Sequence, residues 1–202
     1  METDYKTREY KERYSRWQDA AITQLGYSNN LILLLATGLL GFVFEKKTYF
    51  KILNVFQSGI DWSTVLYIFA ILSLFSSIMF GLLVTISRLY NFRIDRNIVL
   101  TRKRFHKTHN NSENKLPKFH AKSHLRNKKK CFVLFKLVLT KDLPTISDEE
   151  VADLNTVCPH CSKFSNLLEI SYVLGILTWR YHKRQLFFFV ISPILYFISI
   201  LA

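Results

Sequence analysis

Three runs of residues without a charged side chain constrain this chain more than any other feature. They are Ala20–Phe44, Trp62–Ser87 and Gln185–Ala202, of 25, 26 and 18 residues. An α-helix rises about 1.5 Å per residue, so such runs can cross a hydrocarbon core of about 30 Å, the last one near the lower limit. An overall content of 49% hydrophobic residues would suit a soluble domain, but it averages apolar runs with charged segments. The sequence therefore predicts an all-α membrane protein with three spanning helices.

These runs divide the chain into four predicted parts. They are an amphipathic N-terminal segment of residues 1–19, a transmembrane hairpin of residues 20–87 with helices at about 20–44 and 62–87, a basic region of residues 88–184, and a third spanning helix of residues 185–202. Residues 1–19 carry charges of both signs, and no small-residue cleavage site follows the first run. We therefore expect the first helix to be retained rather than removed as an export signal.

The N-terminal segment is predicted to lie at the membrane surface. Tyr10, Tyr14 and Trp17 recur at spacings of four and three, which places them on one helical face opposite the charged residues. Tyr and Trp suit the headgroup level because each has an apolar body and a polar tip. An interfacial anchor is one interpretation, and a docking helix for a protein partner is the other.

The distribution of basic residues predicts the orientation. Residues 1–19 carry five Lys and Arg, the link 45–61 carries three, and residues 88–184 carry twenty. Basic residues in connecting segments resist translocation. We expect a multi-pass protein of a cell inner membrane, with the N-terminus and residues 88–184 cytoplasmic and the 45–61 link and the C-terminus outside.

Small side chains form a stripe along the second apolar run. The predicted packing residues are Ser73, Ser77, Gly81 and Thr85, with a shorter match in the first run at Thr37 and Gly41. Spanning helices gain no hydrophobic free energy by associating in lipid, so close backbone approach at small residues is what joins them. The stripe therefore predicts either a packed hairpin within one chain or a homo-oligomer that uses the second span between subunits. The three runs contain no Asp, Glu, Lys, Arg or His, which argues against a dedicated solute carrier.

Nearly all of the net charge of +13 lies in residues 88–130. This stretch contains fourteen Lys and Arg and only two acidic residues, Asp95 and Glu113. Basic residues close to a membrane are attracted to anionic lipid. The predicted lipid contacts are Arg88, Arg93, Arg96, Arg102, Lys103, Arg104, Lys128, Lys129 and Lys130. Nucleic acid is the less favoured partner, because bases need aromatic stacking platforms and we identify only Phe105 and Phe119 among these charges.

Local patterns predict the elements of the basic region. The second helix should continue to about Arg104, and a flexible loop containing Pro117 should follow. The apolar run Cys131–Leu139 has the length and composition of a strand. Beyond Pro144, Ser147 and Glu150 form a capping-box pattern that should open a short acidic helix through about Val157, whose carboxylates could pair with the basic loop. A long helix should then enter the third span.

The string CPHC at Cys158–Cys161 is the chemically distinctive motif. It could supply half of a structural zinc site completed by His120 and His124, with Cys131, His106 and His109 as other ligands. CPHC also resembles the active-site tetrapeptide of DsbA-type thiol-disulfide oxidoreductases, which implies a thiolate at the first cysteine. Ordinary free thiols are the third interpretation. A βαβ pattern is missing around the motif, and the predicted cytoplasmic side is reducing, so we predict a chain without catalytic residues or cofactor.

Two stretches, SRLYNFRIDRNIVLTRKR and LGILTWRYHKRQLFFF, resemble small bacterial membrane proteins without an assigned activity. The order of an amphipathic entry helix, two spans and a helical cytosolic extension is similar to SLATT-type effector modules. That resemblance implies a membrane-damaging effector of a nucleotide-triggered conflict system, and it carries over no catalytic residue.

The sequence thus predicts a non-enzymatic integral membrane protein whose basic region contacts anionic lipid or an unknown protein partner. An oligomerising, membrane-permeabilising effector is the first alternative. A thiol redox or zinc-binding protein that depends on CPHC is the second.

Overall fold

The computed structural model describes the backbone of residues 2–46, 62–108, 127–140, 144–152 and 159–201. Side chains are described for residues 16, 19–46, 62–105, 107, 132–140, 144–151 and 163–201. Within these ranges the chain forms helices and no strand. They are α1 (Glu2–Glu45), α2 (Trp62–Thr108), α3 (Asn127–Thr140), α4 (Asp148–Ala152) and α5 (Pro159–Leu201). The all-α prediction is confirmed.

Three of the helices are long and apolar enough to cross a membrane. The candidate spans are Asp19–Glu45, Trp62–Phe105 and Lys163–Leu201. In their most apolar windows, 17–28% of the residues are buried within the chain, so most of the apolar side chains face outward. Soluble proteins rarely expose apolar surface on this scale, whereas lipid accommodates it. The protein is therefore membrane-embedded, with a span in each of the three predicted regions.

The long helices extend beyond the apolar runs. The predicted entry segment and the first span form one helix, α1, and α2 continues past the predicted end near Arg104. The third span belongs to a helix that begins at Pro159 and passes through Pro193 without ending. Proline is tolerated inside a spanning helix where neighbouring groups satisfy the freed carbonyl.

The chain divides into two compact units, and α2 and α5 contribute to both. The first unit comprises Met1–Leu82 and His182–Ala202, and the second comprises Leu83–Tyr181. In the first unit, Ala36 and Val43 of α1 cluster with Tyr67 and Leu74 of α2, and Tyr196 of α5 packs against them. This core joins all three spans.

The second unit has its own buried side chains, contributed by four helices. They include Ile94, Ile98 and Phe105 of α2, Leu134 and Leu137 of α3, Val151 of α4, and Phe164, Leu167, Leu174 and Leu177 of α5. A small helical unit therefore accounts for much of the predicted basic region of residues 88–184.

The predicted strand at Cys131–Leu139 is wrong, because these residues lie in α3. Leu134 and Leu137 are both buried. Residues three apart share a face of a helix but point to opposite faces of a strand. The helix therefore buries both leucines on one side, and this packing overrides the β propensity of the valines and phenylalanines.

The predicted capping box at the start of α4 is confirmed. The Glu150 amide donates to Ser147 Oγ at 3.2 Å, and the Ser147 amide donates to Glu150 Oε2 at 3.1 Å. The described helix ends at Ala152, and the rest of the predicted extent to about Val157 lies outside the described residues. Two acidic side chains pair outside the predicted loop, since Asp148 lies 3.0 Å from Arg104 and Glu150 pairs with Lys163.

Candidate functional sites at a helix junction and a basic face

Two of the predicted packing residues on α2 lie at a junction of the three spans. Ser77 and Gly81 are buried, Ser73 is half-buried, and Thr85 is exposed. Buried positions of α2 in the first unit recur at spacings of three and four, as in packed helix bundles. Part of the stripe of small residues therefore contacts other helices of the same chain.

At Gly81, α2 packs tightly against side chains of both other spans. A Cβ atom placed there would lie 2.6 Å from Leu33 Cδ2 of α1 and 2.6 Å from Gln185 Nε2 of α5. These distances are below van der Waals contact, so any larger residue would push the two neighbouring side chains away. Glycine allows α2 to contact both α1 and α5 at the same level.

The two predicted packing residues on α1 are placed differently. A Cβ atom at Gly41 would meet nothing within 4 Å. Thr37 is exposed, and its hydroxyl donates to the carbonyls of Leu33 and Leu34 in its own helix. The structure therefore does not bring Thr37 and Gly41 into the junction, and Leu33 is the α1 residue that contacts Gly81.

Polar groups link α2 and α5 beside Gly81. Ser77 Oγ of α2 donates to the Gln185 carbonyl of α5 at 3.0 Å. Within α5, His182 Nδ1 lies 3.2 Å from Gln185 Oε1. Gln185 is fully buried, and its Nε2 has no hydrogen-bond partner within the described part of the chain. Sequence analysis gave Gln185 no role, although Gln side chains can bond polar groups of neighbouring helices inside a membrane.

Further hydroxyl groups bond backbone carbonyls of other helices along the first unit. Tyr67 Oη donates to the Val43 carbonyl at 2.8 Å, and Ser192 Oγ donates to the Ala70 carbonyl at 2.8 Å. Ser63 Oγ also donates to the Ser199 carbonyl. In lipid such bonds are worth about 0.6 kcal/mol each on average, so several together stabilise the bundle measurably.

The second unit has a comparable polar contact between α2 and α5. Ser87 Oγ donates to the Leu174 carbonyl at 3.1 Å, and Thr178 Oγ1 donates to Ser87 Oγ at 3.0 Å. About two turns further along α2, Ser171 Oγ of α5 donates to Asp95 Oδ1 at 2.5 Å. Asp95, one of two acidic residues in the basic stretch, is thus engaged with α5.

Beyond the second apolar run, α2 presents a basic face that also carries apolar side chains. Arg93, Arg96 and Arg102 are exposed, and Arg88 is half-buried. The exposed residues on this part of α2 also include Lys103, Arg104, Lys107, Leu89, Phe92, Val99 and Leu100. Residues 128–130 lie in the first turn of α3, and their side chains are outside the described set.

The predicted metal ligands and thiols are largely outside the described residues. His120, His124 and Cys158 fall in undescribed segments, and Cys161 lies in α5 without a described side chain. Among the residues that the structure does describe, no group of three or more His, Cys, Asp or Glu could hold a metal ion. The zinc and redox hypotheses for CPHC therefore stay predictions.

No protein-family model, curated protein or solved structure matches the chain.

Proposed function

We propose that this protein is a non-enzymatic, multi-pass component of a cell inner membrane that binds anionic lipid through the exposed face of α2 beyond Ser87. One observation carries the proposal. In this part of α2, exposed basic side chains such as Arg93 and Arg96 share a face with exposed apolar side chains such as Phe92 and Val99, while Ile94 is buried on the opposite side.

A mixed face of this kind suits the boundary between acyl chains and headgroups. Long basic side chains can place their apolar stems against acyl chains and their charges among phosphates. Each basic residue near an anionic surface contributes about 1 kcal/mol, which is about a fivefold change in association. The proposed orientation places this face on the cytoplasmic side, where twenty Lys and Arg of residues 88–184 would lie.

The placement of Phe105 supports lipid over nucleic acid as the partner. Phe105 was one of two aromatic residues considered as platforms for bases, and it is buried in the second unit. A side chain in a packed interior cannot stack on a base. Phe119, the other one, lies outside the described residues.

Lipid selectivity of the full chain tests the proposal. The chain is reconstituted in vesicles, and electron spin resonance measures the association of spin-labelled phosphatidylglycerol relative to phosphatidylcholine. We expect a preference for phosphatidylglycerol that Arg96→Gln reduces severalfold and that high salt reduces in the wild type. Lys163→Gln removes the same charge, but Lys163 already pairs with Glu150, so the preference should be nearly unchanged.

Equal association of the two lipids with the wild-type chain would overturn the proposal. The same vesicles, loaded with a fluorescent dye, also test the effector alternative. We expect the dye to be retained, because the buried Ser77 and Gly81 contact α5 within one chain. Dye release by the wild type would favour a permeabilising effector instead.

A further inference from the structure

Helix α3 carries apolar side chains on two opposite faces. Leu134 and Leu137 are 3% and 6% exposed, whereas Phe132, Phe135 and Leu139 are 64%, 60% and 65% exposed. At about 100° per residue, the three exposed residues fall within an arc of about 60°, and the two leucines lie on the other side of the helix. The leucines anchor α3 in the second unit, and the outer face needs a different environment.

A described basic residue lies beside the outer face, and the sequence of the first turn of α3 is basic. Lys136 is exposed and lies next to Phe132 on the helix surface, four residues on. The first turn of α3 contains three consecutive lysines, residues 128–130. Aromatic and aliphatic side chains flanked by lysines are typical of helices that lie in the plane of an anionic membrane surface.

Charge complementarity favours lipid over a second copy of the chain as the occupant of this face. Residues 88–130 alone carry fourteen Lys and Arg against two acidic residues, so two copies brought together here would repel each other. An anionic bilayer attracts the same charges. The second unit is also held close to lipid, because it shares the helices α2 and α5, each of which contains a candidate span. A tethered surface needs little intrinsic affinity to stay bound.

We propose that α3 is an interfacial helix that inserts Phe132, Phe135 and Leu139 into the headgroup and acyl boundary of an anionic bilayer. This extends the lipid-binding role proposed above from charge attraction at α2 to apolar insertion at α3. The insertion proposal depends on the proposed function in one respect only, namely that the bilayer is anionic.

Fluorescence quenching in vesicles of the full chain tests the insertion. Trp17, Trp62 and Trp179 are replaced by Phe, and Phe135→Trp provides a single reporter. Phosphatidylglycerol vesicles that contain lipid brominated near the glycerol end of the acyl chain should quench this reporter severalfold, and aqueous iodide should quench it little. Thr145→Trp in the same background is the control, because Thr145 is exposed before α4 and should respond to iodide and not to bromine.

Two outcomes would overturn the insertion proposal. Quenching of the Phe135→Trp reporter by iodide would place the outer face in water. Protection from both quenchers would place it against protein, which in a purified sample is a second copy. Phe132→Trp, read in the same way, guards against a local disturbance at one position, because both side chains should give the same result.

The spin-label measurement distinguishes this failure from failure of the proposed function. A preference for phosphatidylglycerol that depends on Arg96, without bromine quenching at α3, would remove the insertion proposal and leave lipid binding by α2 in place. Bromine quenching at α3 without a preference for phosphatidylglycerol would remove lipid binding by α2 and leave the insertion of α3 in place.

Discussion

Gly81 is the residue whose replacement should disturb the span packing most directly. In Gly81→Ala the new methyl group would meet Leu33 and Gln185 at 2.6 Å, and overpacking of this kind costs about 1–3 kcal/mol. We expect that loss in the free energy of unfolding, measured by denaturant titration in mixed micelles. Leu33 must move as a whole, because its Cγ would also lie 2.9 Å from the new atom.

Gly41→Ala is the matched control for this prediction. A Cβ at Gly41 meets nothing within 4 Å, and alanine is a better helix former than glycine by up to about 1 kcal/mol. Its unfolding free energy should stay the same or rise. Equal losses in the two variants would show that helix propensity or lipid contact, and not the junction, determines the effect.

The spacing of small residues selected two positions that the structure places at this junction, but it did not indicate their partners. Spacing by four placed Ser77 and Gly81 on one face, and both are buried. The same rule selected Thr37 and Gly41, which do not reach the junction, because a small residue marks where close approach is allowed and not where it occurs. The role of Gln185 is not visible in a local pattern, because its carbonyl bonds Ser77, which is 108 residues away in the chain.

At the scale of single elements, the N-terminal cap of α4 can be tested by one substitution. Ser147 accepts a hydrogen bond from the Glu150 amide, and the Val151 amide donates to the Ser147 carbonyl at 3.0 Å. In Ser147→Ala the cap is lost, at a typical cost of about 1 kcal/mol to the helix. Hydrogen exchange at the Glu150 and Val151 amides should accelerate about fivefold.

Ser147→Thr retains a hydroxyl acceptor and serves as the control, with exchange rates close to those of the wild type. If alanine and threonine gave the same rates, the cap would not stabilise α4. Backbone amides elsewhere in the second unit should be little affected by either change, because α4 is short.

The elements differ in how far local sequence determines them. The capping box is a contact between residues three apart, so the sequence pattern was sufficient to predict it. The helical state of α3 depends on burial of Leu134 and Leu137 in the second unit, which a nine-residue apolar run does not reveal. Apolar length identified the three span regions because lipid requires helices that satisfy their own backbone bonds.

At the scale of the whole molecule, the proposed orientation can be tested with the native cysteines. All three of them, Cys131, Cys158 and Cys161, lie in residues 88–184. If this region is cytoplasmic, a membrane-impermeant maleimide should not label the wild-type chain in intact bacterial cells that express it. Labelling should appear once the membrane is opened, which also shows that the thiols are reactive.

The control for the predicted outer side places one thiol in the link 45–61. In a chain with the three native cysteines replaced by serine, Ser58→Cys should be labelled in intact cells, because an odd number of spans separates this link from residues 88–184. The physical basis is the excess of basic residues in 88–184, which resists translocation. Labelling of the native cysteines in intact cells, together with protection of Ser58→Cys, would show that the orientation is the opposite of the proposed one. It would also place the basic face of α2 and the outer face of α3 on the side away from cytoplasmic anionic lipid.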